Sequence, residues 1–545
     1  MKLKTTIALL VGLTLLAASL LARPRMDRPP ALYKSATPVT DATIDANRVF
    51  SYVTNLGTFA RDNVGVLNLA GGGGMVYPFA GLANIANGQA NKTCVFASGI
   101  WIGGIDSTVG SPNIGDTLMT ISEFSEENVP GPMLGGTFQT DNPSFRVYKL
   151  YRDSLASNPN ADYLAWPVAD GAPVDSLGAP ELTGDQMLWS VFNDADPAAH
   201  GNDAGSTLPM GIEIQMSTFA FTREGALGDI IFLRYKIMNK GNKNLRQVYI
   251  SLWSDPDLGG FADDLVGSDT ALSLGFVYNA TSADAVYGSR PPAVGYDFFQ
   301  GPLVASPGST GRMWGIPQPG FTNLGLVSFN KYINGTDPDF AAESYMYQNG
   351  LDAKAAAPLI DPTTGLVTKF FGSGDPVTGT GFLDSNPADR RFMLNTGPID
   401  FNPGDSTEVI AAIIVGQGND RKSSITLMKF FDETAQSTFD NFFQPPVPPA
   451  APVVSVANLP NEITLTWGNE SELSPGDFDF QGYTVYQGPT VTGPWTRLLT
   501  ADVIDTIAVV LERELDLASG ELVELPKQLG SNSGLQRFAA FTDDA

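Results

Sequence analysis

At 545 residues the chain exceeds one ordinary core, and 43% hydrophobic against 17% charged residues excludes broad disorder. Acidic residues outnumber basic ones 58 to 32; the net charge of -26 repels nucleic-acid phosphates and anionic lipid and leaves cations as natural small partners. The single cysteine excludes an intrachain disulfide and a CxxC zinc site, while 57 Gly and 39 Pro favour many turns between short strands.

Lys2 and Lys4 precede an uncharged apolar run from Thr5 to Ala22, followed by Arg23-Pro24. This is the layout of a secretory signal peptide over 1–22, with Ala22 or else Ser19 as the last residue removed. An uncleaved anchor is the alternative, since the run reaches the length of a spanning helix. No cysteine follows to carry a lipoprotein anchor, and no second segment is long and apolar enough to span a membrane. The expected location is therefore extracellular or on the outer cell surface. Residues 23–46 read as a flexible lead-in.

From Asn47 onward short apolar runs alternate with turn clusters. Cys94–Ile105, Phe145–Tyr151, Met187–Phe192, Gly211–Phe221, Asp229–Met238 and Gln247–Trp253 carry β-branched and aromatic residues, several with period two. They predict a mainly β fold of sandwich type, because helical crossovers are missing between them. Asn239-Lys240-Gly241-Asn242 reads as a hairpin-type connection, and Cys94 as a buried, inert thiol. The region 47–443 is expected to be one β-rich body with a possible division near 205.

Ile425, Met428, Phe431, Ala435, Phe439 and Phe442 step by three or four and predict one long helix over 424–442, packed on a sheet. A proline-rich run over 444–452 should act as a semi-rigid spacer. Beyond it, Glu462–Trp467 and Gln481–Tyr486 alternate as strands, and Gly493-Pro494-Trp495-Thr496 follows them.

On Trp467, Tyr483 and Tyr486 the segment 453–545 resembles a fibronectin type III module. The resemblance implies a small sandwich, here without the tyrosine-rich late strand of that family, so the module is expected to be incomplete. Trp253–Gly259, Gly295–Pro302, Gly374–Gly381, Asp389–Met393 and Asn402–Glu408 resemble segments of large secreted multidomain surface proteins of Gram-negative bacteria associated with type IX secretion. Those proteins often end in a sorting domain. None is seen here, and a missing C-terminal portion is expected. The resemblance implies no specific activity.

The acidic stretch Asp255-Pro-Asp257-Leu-Gly-Gly-Phe-Ala-Asp263-Asp264-Leu-Val-Gly-Ser-Asp269 is the leading site candidate. Five carboxylates within fifteen residues repel one another unless neutralised, and hard cations such as calcium take six to eight oxygens. Asp255, Asp257, Asp263, Asp264 and Asp269 are the candidate ligands, although the spacing is not that of an EF-hand. The competing reading is a solvated turn with aspartates capping their own backbone. Asn193-Asp194-Ala-Asp196…His200-Gly-Asn202-Asp203 contains the sole histidine; it reads as a polar loop, with a transition-metal site as the alternative. Gly71–Gly74 lacks the Lys-Ser/Thr of a phosphate loop and reads as a turn. Asp361–Gly365 and Asp375–Gly379 repeat one turn recipe.

These features predict an exported structural or adhesive protein without catalytic activity, with calcium as its possible cofactor. Its expected partners are surface or matrix proteins or glycans, with self-association possible. A secreted carbohydrate-binding or carbohydrate-degrading protein is the alternative, because glycoside hydrolysis needs only two carboxylates at the right separation.

Overall fold

The computed structural model describes residues 39–61, 74–81, 92–123, 127–140, 142–152, 159–202, 204–444, 447–476, 479–490, 493–516 and 519–542. The expected signal peptide over 1–22, residues 23–38 of the expected lead-in, Gly71–Gly73 and Asp203 lie outside them. The chain forms two units, Met1–Phe442 and Phe443–Ala545.

Two antiparallel sheets dominate the first unit. The smaller runs Ser328–Ile333, Arg390–Phe401, Leu245–Asp255, Ala97–Asp106, Thr117–Ile121 in spatial order. The larger is centred on Ala293–Gln300, Ser406–Gly416, Ile230–Asn239, Ile212–Ala220 and Gln186–Asn193, with Leu274–Asn279 and then Asp264–Asp269 beyond Ala293–Gln300. Period-two alternation explains why the sheets stack: Ile231, Leu233, Tyr235 and Ile237 share one buried cluster with Ile250, Leu252, Phe392 and Leu394. The mainly β, sandwich-like expectation holds.

Both outer faces are covered as well. Helix Ala341–Gln348 buries Tyr345 and Tyr347 in a second cluster with Trp101, Tyr249, Trp253 and Met393 of the smaller sheet. On the larger sheet lies the long helix, Arg421–Asp440. Its Met428 fits so closely that a Cβ added to Gly416 would lie 2.3 Å from the Met428 backbone nitrogen. Residues covered on both faces need no alternation, and Val409–Val415 is accordingly buried throughout. Ile230–Leu233 is buried throughout too; beyond it, half-buried Arg234 pairs with Glu408 and half-buried Lys236 lies over Trp314. The helix begins at Arg421, three residues before the apolar stripe suggests. Asp420 caps it, accepting bonds from the backbone N–H groups of Lys422 and Ser423.

Three sequence expectations are corrected. Ile230–Asn239 and Leu245–Asp255 lie in opposite sheets, so the segment at 240 is no hairpin turn but crosses between layers, held by Asn239 Nδ2 on the carbonyls of Lys243 and Phe401. The strands flanking residue 205, Gln186–Asn193 and Ile212–Ala220, pair directly through eight residues and belong to one sheet. Asp41–Ile44, within the expected lead-in, pairs with Ser51–Thr54. Local composition hid all three, because the pairing partners are set by the register of the whole core.

The two repeated turns fold alike. Gly365 and Gly379 adopt φ of 71° and 75°, and each amide donates to the carbonyl four residues back, on Asp361 and Asp375. Only glycine enters that backbone region freely.

In the second unit Val454–Leu459, Glu462–Trp467 and Phe538–Thr542 form one sheet; Gly482–Gln487 pairs with Thr496–Asp502, and Val509–Leu515 with Leu522–Leu529. Trp467 is buried and meets Tyr483 edge-on at 5.6 Å. Few neighbours cover the strands, and Val454–Leu459 is exposed along its whole length.

Candidate metal centre

The strand Leu245–Asp255 stops because Pro256 has no N–H to continue the ladder. Asp255 therefore ends the strand with its side chain inside the molecule, 1% exposed. The chain then turns sharply, with Asp257 at φ 42° and Gly259 at φ 70°. On the neighbouring strand the last paired residues are Ser254 and Phe392, so one further step places Arg391 across from Asp255.

Arg391 is the hub of the local charge. Its Nη2 lies 2.9 Å from Asp255 Oδ2, its Nη1 2.5 Å from Asp389 Oδ1, and its Nε 3.6 Å from Asp337 Oδ1. Asn334 Nδ2 donates to the other oxygen of Asp389 at 2.9 Å. Asp255, Asp257 and Asp389 each present an oxygen, and these lie within 4.8 Å of one another; such a group of carboxylates can hold a metal ion. Asp255 Oδ1 and Asp257 Oδ1 are buried and accept no hydrogen bond. Burial pushes the Asp255 carboxyl up to about 8; Arg391 opposes the shift, while Asp257, Asp389 and Asp337 add to it. Burial also raises Asp257, to about 6, and Asp389 reinforces this. A divalent ion would reverse that balance, because it favours the charged form of each carboxylate.

The five aspartates singled out from sequence are thus divided. Asp255 and Asp257 meet Asp389. Asp263 accepts a bond from Asn279 Nδ2 at 3.0 Å. Asp264 is fully buried, accepts the Leu258 amide at 3.1 Å and leaves Oδ1 without a donor; burial holds its carboxyl well above the usual range, and Asp257, Asp263 and Asp284 add to this. Asp269 ends the strand Asp264–Asp269, about 16 Å farther along at strand rise, and pairs with Lys429 of the long helix at 2.7 Å. Asp389 was missed as a ligand because it is remote in sequence. Its available signal was Asp389-Arg390-Arg391 at the head of a strand, charges where a core strand begins.

Around the sole histidine, Asp194 accepts the amides of Met210, Gly211 and Ile212 at 2.6, 2.9 and 2.6 Å, which fixes the chain crossing rather than freeing a ligand. His200 Nε2 bonds the Asp194 carbonyl at 2.9 Å, and Nδ1 lies 3.7 Å from Glu127 Oε2. Burial lowers the histidine and, together with Asp194 and Glu123, raises Glu127. A shallow recess of about 370 Å³ nearby is lined by Pro209, Met210, Lys240 and Lys243, among others. Its lysines are engaged, Lys240 with Glu213 at 2.6 Å and Lys243 with the Pro209 carbonyl at 2.5 Å. Among the described residues no helix is long and apolar enough to cross a membrane.

No protein-family model matches the chain, and no curated protein sequence matches it significantly.

Proposed function

We infer that this is an exported, non-catalytic structural or adhesive protein of the bacterial cell surface or extracellular matrix, related to the large type IX-secreted surface proteins. The observation that carries this reading is the second unit, whose short sheets keep apolar side chains in water. Val454, Val456 and Phe538 are 53%, 65% and 54% exposed. Exposed strand edges with apolar faces are the material of strand addition and of protein–protein contact. The fibronectin type III assignment is supported by the buried Trp467 and its contact with Tyr483. Other surface or matrix proteins are the partners we assign, and self-association uses the same edges.

Calcium is the ion we assign to Asp255, Asp257 and Asp389, since an all-carboxylate donor set suits a hard cation and extracellular sites work at millimolar concentrations. Exposed Tyr486 and Trp495, at 48% and 55%, favour a glycan as a second class of partner.

The test is fractionation of a Gram-negative host expressing the full chain, with external protease shaving and N-terminal sequencing, then binding of the purified protein to immobilised matrix proteins and to glycans. A processed, protease-accessible chain that adheres to matrix protein supports the reading. Retention in the cytoplasm with an intact leader sinks it, and hydrolysis of a polysaccharide would transfer the protein to the enzyme class.

A further inference from the structure

Resting on the calcium reading above, we propose that Arg391 is a built-in competitor of the cation, occupying the carboxylates until the ion concentration is high enough to displace it. Its guanidinium already bonds two of the three ligand residues, Asp255 at 2.9 Å and Asp389 at 2.5 Å. Yet one guanidinium does not satisfy the group. Asp255 is 1% exposed and its Oδ1 accepts nothing, and Asp257 Oδ1 is likewise buried without a donor. Those two oxygens are the ligand atoms a hard cation would take. The 4.8 Å limit on the oxygen separations is about twice a calcium–oxygen distance, so a single ion reaches all three.

Arginine cannot escape the competition by losing its proton, because it remains charged at any physiological pH. It must move, and Asp337 supplies a place to go. Asp337 Oδ1 lies 3.6 Å from Arg391 Nε, too far for a good hydrogen bond, and its side chain is 49% exposed. Arg391 Nε itself makes no hydrogen bond. A small swing of the guanidinium toward Asp337 satisfies Nε and releases Asp255 and Asp389 to the ion. The site is thereby held at low affinity, as suits a protein bathed in abundant calcium.

Calcium titration calorimetry on the intact chain, with magnesium as control, decides between the outcomes. Arg391→Gln should bind calcium about tenfold tighter than the unaltered chain, with Arg391→Lys between them. Asp337→Asn, which spares all three ligands, should bind more weakly. Tightening in Arg391→Gln with weakening in Asp337→Asn establishes the competitor. Equal or weaker binding by folded Arg391→Gln overturns it while leaving the cation site intact. Should Arg391→Gln fail to fold, unchanged affinity in Asp337→Asn overturns it alone. Absence of calcium binding by the unaltered chain and by all three variants removes the calcium reading itself, and the competitor with it.

Discussion

Asp255 and Arg391, 136 residues apart, face each other across adjacent strands with 2.9 Å between carboxylate and guanidinium, both almost wholly buried. Removing one partner leaves the other charge buried without compensation, at a cost of about 3–5 kcal/mol. Arg391→Met should therefore destabilise the first unit by that order in chelator, by denaturant melt. Asp255→Asn with Arg391→Met together should cost less than the sum of the single changes. Additive losses would mean the pair is not coupled.

Asp297 of the larger sheet and Asp432 of the long helix form a second buried acidic pair, 1% and 2% exposed. Burial raises both, and Asp432 adds to the rise of Asp297, while its own carboxyl, raised to about 7, is held back by a hydrogen bond with Asp297. Two carboxyls in contact keep a proton between them. Because the folded pKa lies above the unfolded one, the stability this proton confers is full below about pH 4 and is lost as pH rises to about 7. Asp432→Asn should remove that loss. The stability of the variant relative to the unaltered chain should rise across this window by about 1.4 kcal/mol per pH unit, measured by thermal melts from pH 4 to 9. Parallel curves would exclude a shared proton.

The long helix sits on glycine. A Cβ at Gly416 would meet Met428 backbone at 2.3 Å, and one at Gly295 would meet Met428 Sδ at 2.5 Å. Gly416→Ala should cost about 1–3 kcal/mol through overpacking, because a backbone cannot step aside. Gly295→Ala should cost less, the flexible sulfur end being able to move. Equal costs from chemical denaturation would refute this ranking.

At the helix start, Asp420→Ala should cost about 1 kcal/mol, whereas Asp420→Asn should be nearly neutral. The capping carboxylate accepts two backbone amides at 3.0 and 2.8 Å, which an amide oxygen can replace. A large loss from Asp420→Asn in urea melts would show that charge rather than capping matters there.

Sequence alone determined what depends on neighbours along the chain. Alternation through Leu233–Ile237 fixes a strand face, the stripe from Ile425 to Phe439 fixes a helix face, and Asp-Pro-x-x-Gly fixes a turn. The crowding of aspartates after Trp253 also marked the region of the carboxylate group that can hold a metal ion. The tertiary structure alone decided which of them meet. A β-strand carries Asp264 and Asp269 apart, whereas sheet register brings Arg391, 136 residues along the chain, and its neighbour Asp389 to Asp255. Strand pairing is a long-range choice, made by which apolar faces the whole core buries, and no local pattern encodes the partner.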